Sequence, residues 1–261
     1  AILIFIGVLF YDCSLLKIKI KDMWLFLACG LLGMLGMSLC YNEAVNRLPL
    51  SLAAVLMSLA PVFVMIMAAF LFKEKITAGK TGCMLLALAG CVLASGILEG
   101  TENISFSWSG ILAGLVTAFF YALYSIFSKL TTQRGYSTYT IIFYSMLSIA
   151  VVLLPFSDPG LIGAFVKEAP AVNGGFMIWQ SLCTSMLPYI FYTIALLHME
   201  AGKASILASG AEPVAAACFG ILFYSEMPGL LTVVGICITI AALTLLCMGK
   251  QEIENERRDR V

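Results

Sequence analysis

Glu212 is the side chain with the clearest capacity for chemistry. It stands beside Pro213 in the apolar run 204–224, about eight residues from the start of the helix that this run predicts. A charge at that depth in a bilayer costs at least about 2.5–3.5 kcal/mol, and residues that bear it usually face a bundle interior or a wet cavity. Pro213 has no N–H, so the carbonyl of Ser209 loses its i+4 partner. The freed carbonyl and the carboxylate lie on one turn, and a broken helix at the midplane is the usual pointer to a transporter site. The surrounding face is small (Ser205, Ala208, Ser209, Ala215, Ala216), leaving room for a ligand or a neighbouring helix. Glu212 can contact a substrate ammonium or carry a proton. In the alternative, it caps the donors of a broken helix and only holds the fold.

Other polar residues fall into helical stripes. Ser38, Asn42 and Asn46 are four apart and share one face. Asn42 lines a cavity or bonds a neighbouring helix, while Glu43 and Arg47 pair near a membrane boundary. Thr117, Tyr121, Tyr124 and Ser128 form a polar–aromatic stripe, Tyr144 and Ser148 a second, and Gln180, Ser181, Ser185, Tyr189 and Tyr192 a third. Tyrosine offers an apolar face and a hydroxyl, which suits small mixed ligands. Interhelical hydrogen bonding is the competing role. Pro61 and Pro188 free the carbonyls of Met57 and Thr184 and are expected to act as hinges or kinks. Gly110, Gly114, Ala118 and Ala122 are a small-every-four stripe for close helix packing. Glu74 and Glu226 read as turn or helix-start residues, and Trp24 and Trp108 as interface anchors.

The elements that must hold these residues follow from composition. Of 261 residues, 61% are hydrophobic and 11% charged, and mean hydropathy is +1.01. A soluble domain of this size cannot hide so much apolar surface. The fold class is therefore all-α, a polytopic helix bundle in a lipid bilayer. Helices are predicted at 1–11, 23–46, 50–72, 78–97, 108–130, 137–156, 174–198, 204–224 and 229–248. The first is too short to span a 30 Å core. The net charge is zero, with no basic patch for nucleic acid. Most of the nine cysteines sit in apolar runs and read as packing residues. The single histidine, His198, leaves little room for a metal site or a triad. No cofactor is expected.

Charge in the connections tests this helix count. Thirteen of the 15 Lys and Arg residues fall in the first, third, fifth and seventh connections and the tail: Lys17, Lys19, Lys21, then Lys73, Lys75, Lys80, then Lys129, Arg134, then Lys203, then Lys250, Arg257, Arg258, Arg260. The even connections hold only Arg47 and Lys167. The positive-inside rule places the odd set and the C-terminus in the cytoplasm.

The chain also repeats itself. Pro61 and Glu74 are 13 residues apart, as are Pro213 and Glu226, and both stretches carry Leu-Phe just before the glutamate. Tyr41 and Ala44 match Tyr192 and Ala195 one helix earlier. An offset of about 152 residues that reverses the side of the membrane implies an inverted-topology repeat of five helices. Residues 1–97 are then a first copy lacking its first helix and part of its second. Residues 108–248 are the second copy, and 249–261 a charged tail. About 40 residues are expected in front of Ala1, which makes ten helices in the whole protein.

These residues resemble the EamA-type drug/metabolite transporters over nearly the whole chain. The first signature runs from Leu52 through Ser58 and Pro61, then Phe72 to Thr77, then Gly82 to Gly90. The second runs from Ala204 through Glu212 and Pro213 to Glu226, and Thr117 to Ser125 resembles the opening of the second half. The resemblance implies a ten-helix carrier of the bacterial inner membrane that exports small metabolites, often amino acids.

A secondary exporter is the function expected. Glu212, Ser209, Tyr121, Asn42, Tyr192, Gln180, Ser185 and Tyr144 would bind a small molecule, and the two repeats would rock to open the site to each side. Protons are a candidate coupling ion; the oligomeric state is left open. No Gly-x-x-x-x-Gly-Lys-Ser/Thr loop is present, so transport would be gradient-driven or passive. An intramembrane enzyme lacks its histidines, its Gly-x-Ser-x-Gly and its paired aspartates. A membrane scaffold or lipid-handling protein of the same fold is the alternative.

Overall fold

The computed structural model describes residues 17–95, 98, 107–224 and 229–258. The expected helix at 1–11 and Glu226 lie outside them. Nine helices run through the described residues: α1 (Ile20–Arg47), α2 (Leu50–Phe72), α3 (Ala78–Ala94), α4 (Trp108–Gln133), α5 (Thr138–Phe156), α6 (Pro159–Glu168), α7 (Pro170–His198), α8 (Ala201–Tyr224) and α9 (Leu230–Arg258). Six of them are long and apolar enough to cross a membrane: α1, α2, α4, α5, α7 and the Leu230–Met248 part of α9.

Two sequence expectations are corrected here. The stretch 157–173 is not a plain loop but holds α6, whose first turn is capped by the Asp158 carboxylate accepting from Gly160 N and Leu161 N at 2.8 and 3.2 Å. An Asp followed by Pro is a start signal. The charged tail is helical as far as Arg258, continuous with α9.

The helices are not uniform. In α1, Ala28–Gly36 winds as a wide π-helix, and in α7 Ser181–Met186 does the same. Shifted by the 151 residues that separate Tyr41 from Tyr192, Ala28–Gly36 falls on 179–187, which encloses the α7 stretch. Such stretches are rare and recur at functional sites. Pro188 stands two residues after the end of the α7 stretch. Pro61 and Pro213 differ, contrary to the equal geometry expected of them. α2 is broken between Met57 and Ala60, so Pro61 opens its second segment, where a missing N–H costs nothing. Pro213 sits inside an unbroken α8.

The chain forms two compact units, each drawn from both halves of the sequence. The first contains residues up to Leu35 and Phe127–His198. In it Phe26 packs edge-on against Tyr136 at 5.1 Å and tilted against Tyr144 at 5.5 Å. Ile142, Phe143 and Ile190 form its apolar centre, and the Ser128 and Thr193 hydroxyls meet at 3.3 Å to tie α4 to α7. The second unit contains Gly36–Ile126 and the chain from Met199 onward. Its core is Met65, Met84, Ala87, Ile206, Ala242 and Leu246. The expected small stripe packs closely: Gly110 lies against Leu48, Gly114 against Leu56, and Ala118 and Ala122 are fully buried.

Polar ties between connections, among the described residues, join only partners of one charge class. Asp22 pairs with Arg134 and accepts from the Tyr136 hydroxyl at 2.6 Å, linking the first and fifth connections. Arg47 pairs with Glu43 as expected, and its guanidinium donates to Ser109 Oγ at 2.9 Å, linking the second and fourth. Lys80 pairs with Glu200, linking the third and seventh. The alternation read from the lysines is thus matched by contacts that require shared sides.

Candidate functional site

α8 carries the sharpest candidate because its sequence is both apolar and interrupted. Helix propensity and the surrounding core keep it helical through Pro213, at the cost of one backbone hydrogen bond. The acceptor left over is the carbonyl of Ser209, and Cys91 of α3 takes the place of the missing donor, its Sγ lying 3.7 Å from that oxygen. Cys91 was expected only to pack. Spacing along one helix identifies a freed carbonyl but not the neighbour that answers it.

Glu212 is exposed rather than sealed into the core. It lies in the second unit, three residues after the Ser209 carbonyl that Cys91 of α3 answers. Ser209 and Tyr121 are half-buried in this unit, and Asn42, next to Tyr41, is exposed. Ser205, one turn before Ser209, is fully buried with no hydrogen-bond partner for its hydroxyl among the described residues. A cavity of about 10 Å³ is lined by Ser58, Pro61, Cys91 and Ser209 among others. It brings the two proline-marked segments together around the space one water needs, and it is too small for a metabolite.

The remaining candidates belong to the other unit. Tyr144 and Tyr192 are half-buried, whereas Gln180, Ser185 and Pro188 are exposed along α7. Tyr144 packs tilted against Phe26 and edge-on against Phe143. Tyr41, the repeat mate of Tyr192, is half-buried in the second unit.

Cys91→Ala is expected to leave the Ser209 carbonyl unsatisfied and cost about 1 kcal/mol, lowering the thermal midpoint of the detergent-purified protein by roughly 2–4 °C. Cys91→Ser keeps a donor and should lose less than half of that. Equal losses in both variants would show that the thiol matters for its packing alone.

Long apolar helices carrying a carboxylate on a proline-interrupted turn define a multi-pass α-helical membrane protein. The chain belongs to the EamA-like transporter family, whose model matches residues 1–96 and 108–248. It is similar to the pseudopaline exporter CntI of Pseudomonas aeruginosa strain UCBPP-PA14, 28% identical over 224 residues that cover 85% of this chain and 74% of that protein. A probable terminal-alkyne amino-acid exporter of Streptantibioticus cattleyicolor is 22% identical over 87% of this chain and 74% of its own length. One solved crystal structure superposes with a TM-score of 0.73 over 97% of this chain and 85% of that one, at 17% identity, which bears on the fold alone.

Proposed function

We propose that this transporter exports small metabolites of the amino-acid class across the bacterial inner membrane, by alternating access between two inverted five-helix repeats. The observation that carries the proposal is Glu212: a carboxylate-bearing, exposed residue beside Pro213 within α8, three residues after the carbonyl that Cys91 answers. A fixed negative charge on an apolar helix is a receptor for an ammonium group with an apolar tail. Ser209, Tyr121 and Asn42 complete the site in that unit. Tyr144, Gln180, Ser185 and Tyr192 are proposed as substrate contacts within the other unit, and Pro61, Pro188 and Pro213 as hinges, each within its own unit. The names of the two relatives, both exporters and one of an amino acid, support the substrate class. Residues 1–97 and 108–248 are the two repeats, and 249–261 is the tail on the cytoplasmic side with the lysine-rich connections. Glu212 also serves as the carrier of a coupling proton.

The test is direct. Bacteria overexpressing the full chain and fed a dipeptide mixture should accumulate one class of amino acids or close analogues in the medium, several-fold above cells with an empty vector. No rise across the panel, with membrane expression confirmed, would reject the amino-acid reading.

A further inference from the structure

We infer that the second unit holds a two-layer gate between the lysine-rich face and Glu212, and that the structure shows it closed. The outer layer is polar. Glu74, at the α2–α3 turn, accepts from the backbone N–H of Ala201 at 3.0 Å and of Gly202 at 3.4 Å, so its carboxylate caps the start of α8. Those two donors have no partner inside their own helix, and a negative charge there is favoured by the helix dipole. Lys80, at the start of α3, pairs with Glu200 and donates to the Lys75 carbonyl at 2.9 Å. Its side chain is only 12% exposed although it lies at a helix end. Lys73, immediately before Glu74, adopts a left-handed conformation at φ 56°. A lysine there carries a cost that glycine would avoid; the conformation turns the chain sharply enough to present Glu74 to α8.

The inner layer is apolar. Met65 lies directly against Gly202, where an added Cβ would stand 2.9 Å from Met65 Cγ. Met65, Met84, Ile206 and Leu246 close the space beneath the clamp, from α2, α3, α8 and α9. Met84 and Ile206 each follow the clamp by four residues, about 6 Å at the helical rise. Below them comes the cavity with Cys91 and Ser209, seven to eleven residues or about 10–16 Å from the clamp. Along α8 both layers lie between the lysine-rich face and the turn that carries Glu212. Each is built from contacts that separate cleanly: ion pair, helix cap and flexible methionines.

The inference rests on the transporter reading but not on its substrate, because its test reads thiol access rather than flux. The probe is a charged, membrane-impermeant maleimide applied to membrane vesicles of each orientation, with modification of native Cys91 and Cys29 followed by peptide mass spectrometry. Cys29 is fully buried in the other unit and reports general loosening. Glu74→Gln and Lys80→Met should each raise Cys91 labelling about fivefold or more from the lysine-rich face, as loss of a contact of this strength predicts. Cys29 labelling should stay unchanged. The charge-swapped pair Lys80→Glu with Glu200→Lys should bring Cys91 labelling down again, and it decides the matter if Glu74→Gln does not reach the membrane. Unchanged Cys91 labelling in the single variants, or Cys91 and Cys29 rising together, would overturn the gate and leave the clamp as a fold-holding contact.

Discussion

Glu212→Gln is expected to bring amino-acid export down to the level of empty-vector cells while the protein still reaches the membrane in normal amounts. Glutamine matches glutamate in shape and keeps a carbonyl oxygen that accepts hydrogen bonds; only the charge is lost. If the carboxylate only capped backbone donors of a broken helix, glutamine would serve almost as well and export would persist. If it meets a substrate ammonium, one charge-assisted contact is lost. That is about 1.5–3 kcal/mol, a fall of roughly 10- to 150-fold in affinity. Glu212→Asp, which keeps the charge on a shorter stem, should recover a measurable part. The same pair of variants examines proton coupling. Export through a titrating carboxyl varies with external pH, whereas any residual flux through the glutamine variant should be flat. Glutamine transporting normally at every pH would end the coupling idea and leave Glu212 to the architecture.

Much of this was open to inspection in the chain itself, for reasons that differ by feature. The helices were legible because twenty apolar residues in a row have one solution in a bilayer. Shared sides were legible because lysines and arginines alternate between connections, and Asp22–Arg134, Arg47–Ser109 and Lys80–Glu200 all follow that alternation. The Ser209 carbonyl was legible because proline chemistry is local. Its partner Cys91 was not, because hydropathy records which face of a helix is buried and not which helix lies against it. Glu74 shows the same limit. It reads as a helix-start residue, and it is one, but it starts α8, 127 residues further on. The unequal fates of Pro61 and Pro213 were hidden too. One proline opens a segment after a turn at Ser58 and Leu59, while the other is carried within a continuous helix by its surroundings.

Gly235→Val should cause the largest loss of stability of any single substitution here, and it tests how α3 and α9 hold together. The two helices cross backbone to backbone. A Cβ on Gly235 would stand 2.7 Å from the Gly90 carbonyl oxygen and 2.8 Å from the Leu93 carbonyl carbon. A Cβ on Gly90 would meet the Gly235 carbonyl oxygen at 2.9 Å and the Thr239 hydroxyl. Thr239 is itself fully buried, its Oγ bonded back to the Gly235 carbonyl at 2.9 Å. Nothing at this crossing is the movable tip of a long side chain, so the helices must separate. Close approach through glycine is what membrane helices use where lipid gives no hydrophobic drive for association. Overpacking of this kind costs about 1–3 kcal/mol, and separation would also disturb Leu246, which closes the inner layer of the gate, and Ala242 in the same core. Gly82 on α3 is the control. It belongs to the same sequence signature as Gly90, yet a Cβ there meets nothing within 4 Å. Gly82→Ala should be neutral or stabilise by up to about 1 kcal/mol through helix propensity, and Gly90→Ala should destabilise. Thermal unfolding of the purified variants in detergent separates the two glycines; equal midpoints would mean that the α3–α9 crossing opens at little cost and does not brace the core beneath the gate.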